Sequence, residues 1–347
     1  MTDSTYAHVT DPETLVVDHE EVGAPGPDQV VVRIRYTGVC GTDVHGFQSP
    51  KFLPPAVFGH EWTGTVTAIG ADVSSVSVGQ RVVASVGAAC GTCAACLAGF
   101  TEMCDLVYQE ANGVDPAAPS HGAFAQTVVV GSRRVQPVLD GLTDEQAGLV
   151  EPTAVTFHAV RRTAQRLGAV VVVQGAGPIG LLTAQHARHA GARVVIVVEP
   201  NEARRATAKV LGFDAVFEPG DDFQQYLAAA NNGLGADVLY ECTGAPKLMQ
   251  ASAEMVRRGG ILSLLGYPMT TSEVSYGDWQ SRQLNVIGSL AYTHDDFVGA
   301  MGSITSGAVN VDALHTSTVG LGDLDRVLRE LGSGTSKDTK VLVDPTI

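Results

Sequence analysis

The sequence predicts an α/β protein built from two domains, one β-rich and one a doubly wound parallel sheet. Three observations carry that prediction. At 347 residues the chain exceeds what one core supports, and an apolar fraction of 45% is enough for a second. Glycine is abundant at 39 residues while aromatics make up only 6%, the composition of short strands and tight turns. The third is a Gly-x-Gly-x-x-Gly run between an apolar strand and a helical segment, followed by further strand–helix units.

Charge narrows the partners. A formal net charge of -15, with no Lys/Arg-rich run to offset it locally, repels phosphate backbones and anionic membrane surfaces. Residues 1–10 lack the basic start and apolar run of a signal peptide, and no apolar run reaches the ~18 residues of a membrane span. A cytoplasmic protein without nucleic-acid or membrane partners is expected.

The β-rich part opens on Val30–Tyr36, a strand that delivers the chain to Gly38-Val39-Cys40-Gly41-Thr42-Asp43-Val44-His45, read as a loop leaving that strand. Gly59-His60-Glu61 completes the stretch. Cys40, His60 and Glu61 offer a thiolate, an imidazole and a carboxylate, the mixed donor set zinc accepts, with Thr42 and His45 close by in sequence. Zinc with fewer than four fixed protein ligands keeps a position for substrate oxygen, whose proton is then lost near neutral pH. A lone Cys40 would read as a buried thiol, but its company favours a metal. Trp62–Ile69 alternates as a strand, Gly70 and Gly79 mark turns, and Arg81–Ala84 is a further short strand.

Cys90, Cys93, Cys96 and Cys104 follow as Cys-x2-Cys-x2-Cys-x7-Cys. Four thiolates at this spacing close a tetrahedral shell, so the second zinc is expected to be structural. An iron–sulfur site is disfavoured by the isolation of Cys242 and the lack of a second cluster pattern. A nucleic-acid-binding zinc ribbon is disfavoured by the acidic charge.

With both cysteine motifs in place, the chain resembles the zinc-dependent members of the medium-chain dehydrogenase/reductase superfamily: the alcohol, polyol and threonine dehydrogenases that carry two zincs. The likeness runs over essentially the whole chain. It implies a GroES-like catalytic domain over 1–153 with a structural-zinc lobe at about 88–106, a Rossmann NAD-binding domain over 154–290, and a return to the catalytic domain over 291–347. That nested layout would put a cleft between the domains. His121–Ala125 and Val128–Val130 match the family's return strand, and Leu149-Val150-Glu151-Pro152 opens a helical stretch that Gly168 would stop. In polyol- and threonine-type members an acidic residue at the place of Glu151 binds the catalytic zinc or its water; a carboxylate there also suits a helix start.

In the second domain Val170–Gln174 reads as a strand and Leu181–Ala190 as a helix, with Gly175-Ala176-Gly177-Pro178-Ile179-Gly180 between them. Gly175 permits the turn, Gly177 admits a pyrophosphate and Gly180 allows close helix–strand packing. The strand Val194–Val198 ends at Glu199, whose carboxylate suits ribose hydroxyls and repels a 2′-phosphate, so NAD is favoured over NADP. Arg204 and Arg205 stand close to it; in relatives the place of Arg204 lies against the adenosine while the enzyme still uses NAD. Ala236–Tyr240 and Ile261–Leu265 are further strands. The resemblance places Thr243, Leu265, Gly266, Tyr267, Ser289 and Leu290 along the cofactor. Cys242 is read as an ordinary core residue. Asp295–Ile304 and Leu324–Leu331 have helical spacing, and Lys340–Val343 closes as a strand.

The resemblance implies zinc-dependent, NAD-linked oxidation of a secondary alcohol, diol or polyol to the ketone, in which Thr42 takes the alcohol proton and His45 passes it to solvent. Glu61 and Glu151 compete for the metal. A cyclitol or aminocyclitol dehydrogenase and a non-catalytic nucleotide-binding relative are the alternatives. A homo-oligomer, dimer or tetramer, is expected by the same analogy. Two departures from the polyol-type pattern stand out. The loop Gly41–Gly59 is short and holds Phe47, Phe52, Leu53, Pro54, Pro55 and Phe58, which would favour a cyclic or less polar alcohol unless they pack inward; Gln80 stands where relatives have aspartate.

Overall fold

Runs of valine and other β-branched residues set the strands, and glycine or proline stands where several of them stop, as at Gly38, Gly131, Pro137 and Gly288. A computed structural model describes residues 2–49, 58–111 and 121–347. The strands are β1 (Thr2–Asp11), β2 (Thr14–Val22), β3 (Gln29–Gly38), β4 (Glu61–Ile69), β5 (Arg81–Ala84), β6 (Thr127–Gly131), β7 (Val135–Pro137), β8 (Val170–Gln174), β9 (Val194–Val198), β10 (Val216–Phe217), β11 (Ala236–Glu241), β12 (Val256–Leu264), β13 (Asn285–Gly288), β14 (His315–Val319) and β15 (Lys340–Val343). The helices are α1 (Gly41–Gln48), α2 (Ala94–Leu97), α3 (Asp105–Ala111), α4 (Asp144–Ala147), α5 (Val150–Thr163), α6 (Pro178–His189), α7 (Glu202–Val210), α8 (Asp221–Ala230), α9 (Met249–Met255), α10 (Tyr276–Ser281), α11 (His294–Thr305) and α12 (Leu324–Gly332). Among the described residues no helix is long and apolar enough to cross a membrane.

The chain divides into two units: Met1–Glu151 with Thr293–Thr305 and His315–Ile347, and Pro152–Tyr292 with Ser306–Leu314. The first is the GroES-like, β-rich unit. Its sheet runs β14-β15-β3-β4-β5-β7, with β6 also paired to β3, so β3 has three strand neighbours. Val30, Val32, Ile34, Val66 and Val82 form one core there, and Phe47, Phe58, Phe124 and Leu324 belong to another. Gln80 now has an account: its Oε1 accepts from Ser77 N at 3.0 Å, closing the turn before β5 as a carboxylate would, but without charge.

The second unit is a Rossmann fold. Its six strands are all parallel, in the order β10-β9-β8-β11-β12-β13, which reverses direction between β8 and β11, where open sheets of this kind bind ligands. The expected helix through Gly168 is shorter, ending at Thr163. The expected return to the first unit over 291–347 is interrupted, because Ser306–Leu314 stays with the second. Gln185 on α6 explains this: its amide accepts from Asn310 N at 2.7 Å and donates to Asn310 O at 3.3 Å, and Val309, Val311 and Leu314 are buried.

A second correction concerns residues 38–45, expected as a loop. Gly41–Gln48 is a helix, nucleated by Cys40 at the N-cap and Asp43 three residues on, whose carboxylate closes the reciprocal cap.

Burial has one titratable consequence in the second unit. His186 on α6 meets Thr156 Oγ1 at 3.0 Å and the ring of Phe157 edge-on, and burial, assisted by His189, pushes its pKa down to about 3. In the unfolded chain the imidazole titrates near ~6.5, so below that pH unfolding takes up a proton that the native state refuses. The stability due to this residue is complete above that value and falls as pH drops towards the native one. Between pH 7.5 and 5 the protein should lose ~2 kcal/mol that the His186→Gln variant does not lose. Urea unfolding of both at the two pH values measures the difference.

Candidate metal centre and nucleotide site

The end of β3 delivers Cys40 to the start of α1, and the start of β4 delivers His60 and Glu61. Asp43, fully buried, joins the two: Oδ2 accepts from Cys40 N at 2.8 Å and Oδ1 from Gly59 N at 2.9 Å. His60 Nδ1 lies 3.7 Å from the same carboxylate. The outcome is a cluster in which one donor atom each from Cys40, His60 and Glu61 lie within 4.8 Å of one another. Thr42 Oγ1 is 3.5 Å from Cys40 Sγ, and His45 is partly buried on the same helix. Glu151 is buried and near enough to act on His60, but its carboxylate is not in that group of three.

The electrostatics show what this cluster fits. Burial alone disfavours a charged His60, yet Cys40, Asp43 and Glu151 around it raise its pKa well above that of an ordinary imidazole. Burial likewise raises Asp43, while for His45 it lowers the pKa and keeps the ring neutral. A buried set of anionic donors of mixed sulfur, nitrogen and oxygen type is a set suited to a dication such as zinc.

Sequence reasoning missed two residues here. Asp43 was passed over although its place three residues after Cys40 is a cap signal. Lys340 gave no signal at all. Its ammonium, 2% exposed at the side chain, forms an ion pair with Glu61 Oε2 and donates to Val39 O at 2.9 Å, across a separation of 301 residues. Burial pushes the lysine's pKa down, but Glu61, Cys40 and Asp43 push it further up. Glu61 is thereby shared between the donor cluster and this cation.

The four remaining cysteines of the β-rich unit also converge: a sulfur from each of Cys90, Cys93, Cys96 and Cys104 lies within 4.8 Å of the others. Cys90 Sγ accepts from Thr92 Oγ1 at 3.5 Å, Thr92 N at 3.4 Å and Cys93 N at 3.3 Å, which brings its thiol down to about 6. Glu110 on α3 accepts from Ala88 N at 2.6 Å and fixes the foot of this lobe. Phe47 and Phe58 are 1% and 2% exposed in the core, so they pack inward. Phe52, Leu53, Pro54 and Pro55 lie outside the described residues.

In the second unit Gly175 (φ +97) turns the chain off β8, and Pro178 starts α6. A Cβ at Gly180 would come 1.9 Å from Gly175 O, so only glycine lets the helix sit this close. At Gly177 a Cβ would meet nothing within 4 Å, which leaves the open approach a pyrophosphate needs at this turn. Glu199 directly follows β9, buried, and accepts from Ala176 N at 2.7 Å and Asn201 N at 2.9 Å. Glu241, fully buried, accepts from Thr243 N at 2.8 Å and Gly244 N at 3.1 Å, and bonds the Thr243 hydroxyl too. Tyr267 and Leu290 are exposed, Ser289 is buried, and Leu265 N and Gly266 N both donate to Glu241 O at 2.9 Å. Cys242 is pushed up in pKa by burial and meets Thr183 and Tyr240, a packing role as expected.

A cluster of mixed N/S/O donors in one unit and a glycine turn between a strand and a helix in the other belong to the class of dehydrogenase that the comparisons with known proteins identify. Residues 26–140 match the alcohol dehydrogenase GroES-like domain and residues 178–306 the zinc-binding dehydrogenase domain. The chain is 29% identical to sorbitol dehydrogenase of Halalkalibacterium halodurans, covering 95% of this chain and 96% of that one. It is 31% identical to 2-dehydro-3-deoxy-L-galactonate 5-dehydrogenase of Pseudoalteromonas atlantica, covering 92% and 93%. The crystal structure of 2R,3R-butanediol dehydrogenase from Bacillus subtilis superposes with a TM-score of 0.84 at 27% identity over 99% of both chains. The chain belongs to the zinc-dependent medium-chain dehydrogenase/reductase superfamily, whose members are oxidoreductases acting on CH–OH groups.

The buried pair Lys340–Glu61 yields a test. Lys340→Met leaves Glu61 charged and unpaired in the interior and should cost ~3–5 kcal/mol in urea unfolding, whereas Lys340→Met combined with Glu61→Gln should recover most of it. Equal losses in the single and double variants would show that the pair is not coupled.

Proposed function

We propose that this protein is a zinc- and NAD-dependent dehydrogenase that oxidises a secondary alcohol of a diol or polyol to the ketone, reversibly. The observation that carries this reading is the convergence of Cys40, His60 and Glu61 within 4.8 Å, with Thr42 against the thiolate. Cys40, His60 and either Glu61 or Glu151 would hold the catalytic zinc, which when bound supplies the Lewis acidity that makes an alcohol proton labile at neutral pH. Cys90, Cys93, Cys96 and Cys104 would hold a structural zinc. NAD, held at the Gly175–Gly180 turn with Glu199, Arg204, Thr243, Leu265–Tyr267, Ser289 and Leu290, would supply the hydride acceptor.

The remaining work falls to the chain. The Thr42 hydroxyl accepts the substrate's proton as it gives up its own, and His45, kept neutral by burial, takes that proton and releases it to solvent. The hydride leaves the carbinol carbon, so electrons and protons balance as alcohol plus oxidised cofactor giving ketone, reduced cofactor and a proton. The sorbitol and galactonate-derivative relatives support a polyhydroxylated open-chain substrate. With Phe47 and Phe58 packed in the core, the case for a cyclic or less polar alcohol loses those two supports.

Purified protein should contain about two zinc ions per chain. It should reduce NAD with one class among secondary alcohols, vicinal diols, sugar alcohols and cyclitols, and lose that activity to a chelator. A folded, zinc-loaded, NAD-binding protein silent across the panel would count against this function. Thr42→Ala should lower kcat by ~10²–10⁴ with zinc content unchanged. His45→Gln should lower kcat less and flatten the acid limb of the pH profile.

We further propose a homo-oligomer, with a second copy on the edge of the parallel sheet. Among the described residues β13 has a strand neighbour on one side only, and Val286 on it is 41% exposed. Light scattering should give a multiple of 36.1 kDa, and Val286→Pro should shift it towards the single chain.

A further inference from the structure

The lobe that carries Cys90, Cys93, Cys96 and Cys104 turns large apolar side chains outward. No residue of α2 is buried, and Leu97, Phe100, Met103 and Tyr108 are 77, 59, 53 and 71% exposed. Single exposed apolar residues need no explanation, but four within twelve residues, on a segment that four cysteines draw together, mark a contact surface. Its charge is one-sided. No Lys or Arg stands between Arg81 and Arg133, whereas Glu102 is half-buried on this lobe and Asp105 is exposed.

The net charge of -15 is also unevenly divided. The first unit holds 25 Asp and Glu against 10 Lys and Arg, the second 12 against 12. In the second unit basic residues gather where the chain enters β8 and β9. The turns before those strands are tied together, Gly168 N donating to Gly191 O and Arg193 N to Ala169 O, both at 2.8 Å. Arg166 and Arg193 on them, Arg161 and Arg162 at the end of α5 and His189 at the end of α6 are all exposed. Cations at helix C-termini answer the helix dipole, which accounts for some of these singly. It does not account for Leu167, 89% exposed in their midst. We propose that the two surfaces meet between copies of this chain, Leu167 seating on Leu97, Phe100, Met103 and Tyr108 while Arg161, Arg162 and Arg166 face Glu102 and Asp105. Charge complementarity selects a second copy: a nucleic acid or an anionic membrane would match the basic turn and leave the lobe uncovered. In a two-fold pair each chain gives its lobe to the other's turn and receives the other's lobe, so the contact forms twice. The four cysteines then fix the shape of a docking surface. This contact is separate from the β13 edge and does not depend on the chemistry of the donor cluster.

Sedimentation of the full-length, zinc-loaded Val286→Pro protein isolates this contact from the β13 edge, with Val286→Lys in reserve should the proline not fold. A reversible two-copy species is expected, its dissociation constant rising roughly tenfold or more between about 50 and 500 mM salt. Reversing the lobe (Glu102→Lys with Asp105→Lys) or the turn (Arg161→Glu with Arg166→Glu) should each weaken self-association by about tenfold or more. An equimolar mixture of the two should pair again, because a basic lobe then meets an acidic turn and an acidic lobe a basic one. A loss of folding cannot produce that recovery. Leu167→Ser should weaken pairing without changing its salt dependence. The proposal is overturned if the Val286 variant stays a single chain at low salt, if neither reversal weakens pairing, or if the mixture does not recover it. It is equally overturned if the intact protein binds RNA or anionic vesicles through Arg161 and Arg166 while the lobe reversal changes nothing. Each of these results leaves the dehydrogenase reading and the β13 contact standing.

Discussion

The first unit depends on one buried carboxylate. Asp43 holds the backbone of Cys40 and of Gly59 at 2.8 and 2.9 Å, so donors that lie about a score of residues apart in the chain are fixed to one point. A buried carboxylate without such bonds would be costly, and desolvation does raise its pKa; the two N–H donors and His60 offset that penalty. The arrangement gathers Cys40, Asp43, Glu61 and Glu151 around His60, with Lys340 as the cation in the cluster. A chain that concentrates this much negative potential in its interior is stable only if a further cation, or protons, answer it. Metal affinity here is therefore a consequence of the fold's electrostatics as much as of ligand identity.

The second unit meets a similar demand with dipoles. Glu241 ends β11 and binds the backbone N–H groups of its own turn, while Glu199 follows β9 and binds one N–H of its own turn, from Asn201, and one of the glycine turn after β8, from Ala176. These carboxylates tie the turns together by hydrogen bonds, while the buried valines of β8 and β9 pack the sheet beneath them. That division of labour is why the parallel strands read as unbroken apolar runs in sequence, while the polar residues cluster at the strand ends.

How much was legible follows from the range of each interaction. The donor triad, the four-cysteine lobe and the glycine turn are local patterns whose spacing already contains their geometry, so they could be read directly. Lys340 could not, because its partners lie some three hundred residues away and a lone lysine before an apolar strand reads as a surface residue. The burial of Phe47 and Phe58 was left open for the same reason: only tertiary packing decides whether an aromatic beside a site faces it. Ser306–Leu314 was assigned to the wrong unit since one glutamine on a distant helix holds it. Gln80 had no account until its turn was seen, where its amide takes the place of a carboxylate.

The helix at Gly41–Gln48, read from sequence as a loop, fixes how Thr42 and His45 stand to one another. In a loop, Thr42 and His45 would have no fixed relation. On a helix, residues three apart are neighbours on one face, with Cβ atoms about 5–6 Å from each other. Cys40 at the N-cap then puts the thiolate at the head of that face, and Thr42 lies 3.5 Å from it. Asp43 secures the cap, pointing into the protein while Thr42 and His45 remain partly accessible. One residue thus serves two ends: it joins the segments that carry Cys40 and His60, and it starts the helix that fixes Thr42 relative to His45. A substitution at Asp43 would disturb the donor cluster and the start of the helix together, and so could not be interpreted as the loss of either one.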